Sequence, residues 1–130
     1  MQKVPVISIV DDDESVREVT KGLVRSLGYV AATFASSEEF LNSDRVNDTS
    51  CLISDVQMPG LNGLELQSRL IAMGRPIPII FVTAFPHEQI RLRALKAGAV
   101  GFLSKPFSDD NLIHCLDRAI ADGGQDDVEQ

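Results

Sequence analysis

The chain has 130 residues, 44% of them apolar and 24% charged, which suits one globular domain that buries roughly two-thirds of its unfolded surface. A net charge of −7, from 19 acidic and 12 basic residues, excludes a basic stripe for DNA phosphates, so no direct nucleic-acid binding by these residues is expected. No apolar run approaches the roughly 20 residues of a membrane span, and Met1 to Pro5 lacks a signal peptide's apolar core, so a cytoplasmic location away from the membrane is expected.

Val6 to Val10 reads as a buried strand and is followed at once by Asp11, Asp12 and Asp13. Val16, Val19, Leu23, Val24 and Leu27 then keep one face of a helix that Gly28 ends. A second strand is expected from Val30 to Phe34, and Ser36 with Glu39 has the spacing of a capping box. Cys51 to Ser54 is the third strand, closed by Asp55; the turn from Met58 to Gly63 shapes the approach to a helix over about Leu64 to Met73. Ile77 to Val82 is the fourth strand, with Thr83 behind it, and a helix from about His87 to Ala97 stops at Gly98. Val100 to Leu103 is the fifth strand and leads to Lys105. Ser108 and two aspartates then open a last helix to residue 122, with Leu112, Leu116, Ala119 and Ile120 on one face. Residues 1–122 are expected to form the domain, and 123–130 an acidic tail or the start of a linker. Cys51 and Cys115 read as two reduced core residues rather than a disulfide or a metal pair.

Strict alternation of five strands and five helices predicts an α/β fold, with a parallel sheet covered on both faces and all strand C-termini along one edge. In a doubly wound sheet of order 2-1-3-4-5, strands one and three flank the topological switch point, which brings Asp12 and Asp55 together. Two carboxylates about 4 Å apart repel by roughly 4 kcal/mol at an effective dielectric near 20, and a hard divalent ion removes that penalty. Mg²⁺ suits such an all-oxygen set better than zinc, which prefers His and Cys. Asp55 could then act as a carboxylate nucleophile toward a phosphoryl donor, with Lys105, the only cation the expected fold places at this crevice, holding the phosphoryl oxygens and Thr83 bonding the product. Singly, an aspartate after a strand is commonly a helix cap, Thr83 a strand-end hydroxyl and Phe102 core filler. Their conjunction favours the site. His87 and His114 read as surface residues without a role.

Val10-Asp11-Asp12, Asp55-Val-Gln-Met-Pro-Gly60, Thr83-Ala84 and Lys105-Pro106-Phe107 together resemble the motifs of a response-regulator receiver domain of the CheY-like superfamily, most closely its FixJ-type branch, over residues 4 to 122. The resemblance implies a flavodoxin/CheY-like (βα)5 fold, with Asp55 as phospho-acceptor, Asp12 as a Mg²⁺ ligand and Asp11 as a supporting acid acting largely through metal-bound water. It also implies that the Gln57 backbone carbonyl is a third ligand, that Thr83 and Lys105 contact the phosphoryl group, and that Phe102 is the switch aromatic. Asp13 aligns with no acidic role. A cis bond between Lys105 and Pro106 follows from the same resemblance. So do a sensor histidine kinase docking on the first helix, a signalling face made of the fourth helix, fifth strand and fifth helix, homodimerisation on phosphorylation, and transcription regulation as the output. Ala84, being small, would leave the phosphoryl site open, while Gln57 and Phe85 sit where family members vary and tune dephosphorylation.

Two other classes remain. A metal-dependent phosphatase using an aspartyl-phosphate would need a cap insertion that the chain lacks, and a binding module that works without phosphorylation would not need the complete acid, Thr and Lys set.

Overall fold

The computed structural model describes residues 4–128. Along them run β1 (Val6–Val10), α1 (Glu14–Ser26), β2 (Val30–Phe34), α2 (Ser37–Leu41), β3 (Thr49–Asp55), α3 (Gly63–Ala72), β4 (Ile79–Thr83), α4 (Glu88–Lys96), β5 (Gly101–Ser104) and α5 (Asp109–Val128). The strands pair in parallel in the order β2-β1-β3-β4-β5, the doubly wound arrangement that the alternation predicts.

Successive side chains of a strand point to opposite faces, so one sheet serves two cores. Ile7, Ile9, Cys51, Ile53, Ile80 and Val82 pack with Val24 of α1 and with Leu112, Leu116 and Ala119 of α5. Val10, Leu52, Ile79 and Phe81 face the other way, onto Phe40 of α2, Leu66 and Leu70 of α3 and Ala94 of α4. Burial on both sides is why these strands read as unbroken apolar runs. Cys51 and Cys115 are free and buried within the first of these layers, and burial pushes the Cys51 thiol up to about 12, which keeps it an unreactive core residue.

Several local details differ from the sequence expectation. The buried row of α1 runs through Thr20 and Val24, four residues apart, which turns Val19 outward at 68% exposure and leaves Leu27 at the rim. α2 has only five residues, and a 3₁₀ turn, Asp44–Asn47, follows it. Ser36 Oγ accepts the Glu39 N–H at 3.0 Å, yet Glu39 Oε1 accepts from Ala35 N at 2.9 Å, one residue earlier than a capping box would use. The full capping box lies instead at the start of α3, between Asn62 and Glu65. α5 is continuous to Val128, past the expected end at residue 122; residues 129 and 130 of the expected tail lie outside the described residues. Among the described residues no helix is long and apolar enough to cross a membrane.

The loop after β3 comes closest to the sheet at Gly63. Its N–H donates to the Val56 carbonyl at 2.8 Å, and a Cβ there would strike the Asp55 carbonyl oxygen, with the Phe81 ring at 2.9 Å and Val56 Cα at 3.0 Å. Gly63→Ala should therefore lower stability by roughly 1–3 kcal/mol through overpacking, although alanine is the better helix former by about 1 kcal/mol. Urea denaturation reads the sign directly: a variant as stable as the parent would show that the loop yields at no cost.

Candidate functional site

Register brings the two principal acids together. In the β1–β3 ladder Val10 pairs with Ser54, so Asp11 and Asp55 leave the sheet side by side. Asp11 is also held from the edge strand, its N–H donating to the Phe34 carbonyl at 3.1 Å. β5 stands two strand spacings from β3, roughly 10 Å, which only a long side chain can bridge. Lys105 does so. Its backbone N–H donates to the Thr83 carbonyl at 2.8 Å, and its Nζ donates to Asp11 Oδ2 at 2.9 Å and to Asp55 Oδ2 at 3.1 Å. The Lys105–Pro106 bond that follows is cis.

These side chains are largely closed to solvent, at 2% exposure for Asp11, 9% for Asp55 and 16% for Lys105, so their charges act on one another with little screening. Burial and the Asp11 carboxylate raise the Asp55 pKa above the ordinary range; the Lys105 ammonium and the Gln57 N–H, 3.2 Å from Asp55 Oδ1, pull it back only in part. Burial works against the Lys105 ammonium too, but hydrogen bonds and charge from the two carboxylates prevail and its pKa is raised.

Asp12 is exposed at the mouth, and one carboxylate oxygen from each of Asp11, Asp12 and Asp55 lies within 4.8 Å of the others. Three hard oxygen donors, gathered with no Cys or His, are a set that suits Mg²⁺ better than zinc. Asp13 takes no part. It caps α1, its Oδ1 accepting from Ser15 N at 2.9 Å and Val16 N at 3.3 Å. Gln57 follows Asp55 in the loop, with its side chain exposed.

Thr83 is buried at the end of β4, where its Oγ1 accepts the Phe85 N–H at 3.0 Å. Phe102 lies beside Phe81 in register, ring centroids 6.3 Å apart and tilted by 53°, in the layer under α4 rather than among the acids. Ala84, His87 and His114 are exposed.

Lys105 is not the only cation at this edge. Arg17 Nη1 donates to the Asp11 carbonyl at 2.8 Å, from the first turns of α1. Its position four residues after the capping Asp13 was the available signal. Beside it, an apolar cleft of about 490 Å³ opens between α1 and the loop after β5, lined by Val16, Val19, Thr20, Ala84, Pro106 and Phe107 among others.

Residues 7–117 match the family described as response regulator receiver domain. Nodulation protein W of Bradyrhizobium diazoefficiens is 42% identical over 111 residues, covering 85% of this chain and 49% of that protein. The transcriptional regulatory protein FixJ of the same organism is 38% identical over 114 residues, covering 88% of this chain and 56% of that protein. The crystal structure of FixJ-N superposes with a TM-score of 0.81 at 33% identity, over 93% of this chain and 96% of that one. The chain thus spans about half the length of the curated relatives it matches.

The raised Asp55 pKa has a consequence for the metal-free protein. A carboxyl whose folded pKa exceeds its unfolded value contributes stability that is present below the unfolded pKa and lost as pH rises through the folded one. At neutral pH the ionised Asp55 therefore carries a cost. Asp55→Asn keeps an acceptor for the Gln57 N–H and removes the charge. In EDTA at neutral pH the variant should melt higher than the parent. The gap should close as pH falls into the carboxylate range. Thermal melts across that range check both signs, and a variant that melts lower at neutral pH would mean that the Lys105 pairing outweighs the repulsion.

Proposed function

This chain belongs to the response regulator receiver domain family, in its FixJ-type branch, and on that premise we propose that it accepts a phosphoryl group on Asp55 from a sensor histidine kinase. Receiver domains are signalling domains rather than classical enzymes, and the chain's own residues would supply what transfer requires. The observation that carries this reading is the buried group of Asp11, Asp55 and Lys105 at the C-terminal edge of the sheet.

Asp11, Asp12, Asp55 and the Gln57 backbone carbonyl would hold Mg²⁺, which supplies neutralising charge and a hard template for phosphoryl oxygens. An Asp55 carboxylate oxygen forms the new P–O bond as the donor's P–N or P–O bond breaks. Lys105, kept cationic by its raised pKa, would leave Asp55 Oδ2 for a phosphoryl oxygen while retaining Asp11. The Thr83 hydroxyl only accepts in its bond from Phe85 N, so its proton is available to donate to the phosphoryl group.

Phosphorylation adds about −1.5 to −2 charges at one point. If Thr83 turns toward it, the Phe85 N–H loses its partner and residues 84 to 89 are released to repack, with Phe102, already half-buried beside Phe81, turning further inward. Moving such an equilibrium from 1:99 to 99:1 takes about 5.5 kcal/mol, spread over the metal, Lys105 and Thr83 contacts. α4, β5 and α5 would carry the signal through homodimerisation or an output partner in the cytoplasm, with transcription regulation as the output. Leu92 on α4, 52% exposed, and Phe85 in the loop before it, 64% exposed, are apolar groups available at that face. The kinase would dock on α1, where Val19 lines the apolar cleft.

Intact mass after incubation with acetyl phosphate tests the acceptor. The parent should gain about 80 Da, one phosphoryl group, only with Mg²⁺, and Asp55→Asn should gain nothing. No adduct, together with no binding of a beryllofluoride mimic, would leave a phosphorylation-independent binding module as the better account.

Thr83→Ala separates phosphorylation from its consequence. The variant should take up the phosphoryl group to at least half the parent's extent, about a twofold change at most, yet lose the phosphorylation-dependent change in hydrogen exchange over residues 84–102. An unaltered exchange response would remove Thr83 from the switch.

A further inference from the structure

The segment from Val56 to Gly63 carries the residue proposed as the backbone metal ligand, Gln57, and an unusual share of its restraint comes from α2. Leu61, four residues beyond Gln57, has both of its backbone polar groups taken by two consecutive side chains of that helix. Glu38 Oε2 accepts the Leu61 N–H at 3.0 Å, and Ser37 Oγ donates to the Leu61 carbonyl at 3.0 Å. Ser37 is fully buried, whereas Glu38 is exposed, so one bond is part of the packing and the other is held in contact with water.

Gly60 fits the same contact. Its φ is +76°, and a Cβ there would come within 2.5 Å of the Glu38 carboxylate, so the chain turns under that group at a residue without a side chain. The Leu61 N–H, joined by Glu38's own backbone N–H and the Arg69 guanidinium, holds the Glu38 carboxyl below its usual range. At the other end, the Gln57 N–H donates to Asp55 Oδ1 and the Gly63 N–H to the Val56 carbonyl. The loop is therefore tied at its start, its outer arc and its finish, and the outer tie comes from α2, which contributes nothing to the acid cluster.

We propose that Glu38 and Ser37 are positioning residues for the phosphoryl and metal site: by gripping the Leu61 peptide groups they hold the Gln57 carbonyl where a cation bound by Asp11, Asp12 and Asp55 needs a further oxygen. The inference rests on the function proposed above and adds to it a role for α2. Without the grip the arc of 57–61 samples more conformers, and the carbonyl must be ordered when the cation binds. The loss falls on cation affinity first, and on phosphoryl transfer only where the cation is scarce.

The test uses the full 130-residue chain with Glu38→Ala, Glu38→Gln and Ser37→Ala, measuring Mg²⁺ affinity by titration calorimetry and the rate of acetyl phosphate labelling by intact mass over a Mg²⁺ series. For Glu38→Ala the Mg²⁺ dissociation constant should rise roughly tenfold, the lower end of what outer partners of metal ligands control, and labelling should recover to within about twofold of the parent at saturating Mg²⁺. Ser37→Ala should shift the affinity in the same direction, and Glu38→Gln, which keeps an amide oxygen for the Leu61 N–H, should return it close to the parent value. Melting in EDTA should barely change for Glu38→Ala, since the side chain is exposed, which separates positioning from folding.

A Glu38→Ala affinity within about twofold of the parent overturns the inference, as does an equal loss in Glu38→Ala and Glu38→Gln, which would assign the effect to charge rather than to the grip on Leu61. In either case normal labelling of the parent leaves the proposed function standing. A parent that takes neither Mg²⁺ nor a phosphoryl group overturns both together.

Discussion

Asp11 and Asp55 leave adjacent parallel strands with less than a tenth of either side chain exposed, and water cannot screen their repulsion. The Lys105 ammonium, within hydrogen-bonding distance of both, is the compensation the described structure provides. Two consequences follow from a single cation facing two buried anions. Asp55 remains under-compensated, as its raised pKa records, and the cluster with Asp12 at its mouth retains a surplus of negative charge that favours a divalent cation. Removing Lys105 would leave buried carboxylates unpaired, which is the expensive way to break such a group. The same lysine that makes two buried carboxylates tolerable also sits between them, within reach of both.

The strand order makes that geometry obligatory. Lys105 begins beyond β5, with its backbone bonded to the Thr83 carbonyl at the end of β4, and its side chain passes β4 and β3 to reach the acid that follows β1. Any change of register at β4 would therefore shift Lys105 and Thr83 together relative to Asp55. Arg17 and the Phe34 carbonyl fix Asp11 from α1 and β2 in the same way. Five consecutive β/α units, each stable only against its neighbours, converge on a few oxygen atoms.

Much of this was readable from the sequence because it depends on patterns that local chemistry enforces. Unbroken apolar runs ended by Asp11, Asp55, Thr83 and Lys105 could be placed along one edge once the units alternated, and the edge is where those residues lie. What could not be read depends on rotation or on contacts distant in sequence. Helical periodicity put Val19 on the buried face of α1, but the row that meets the sheet passes through Thr20 and Val24. Asn62 and Glu65 have the same capping-box spacing as Ser36 and Glu39, but only the former closes the box, since the Glu39 return bond lands on Ala35. The bonds from Ser37 and Glu38 to Leu61 span 24 and 23 residues and join a helix and a loop whose sequences show no sign of each other. Arg17 had a helical offset from Asp13 but no property that separates it from a solvated surface arginine.

The two loops that flank Asp55 are restrained very differently, and the difference bears on which side could move. α3 starts with a reciprocal capping box, its entry glycine is wedged under Asp55 and Phe81, and its approach is tied to α2. α4 starts at His87 with no side-chain cap, and the residues before it, Ala84 to His87, are exposed, with the Phe85 N–H bonded to Thr83 Oγ1. An uncapped first turn leaves N–H groups to water, and few buried contacts hold it down. At the far end the situation reverses: Gln67 of α3, buried, donates from Nε2 to the Ala94 carbonyl at 3.1 Å, and Ala94 is the fully buried residue of α4. α4 is therefore fastened near its C-terminus and loose at its N-terminus, where Thr83 links it to the strand edge that carries the acids. A small displacement of one hydroxyl would be enough to free the loose end while the fastened end stays in register, so the rearrangement need not disturb the sheet that holds the acids in place.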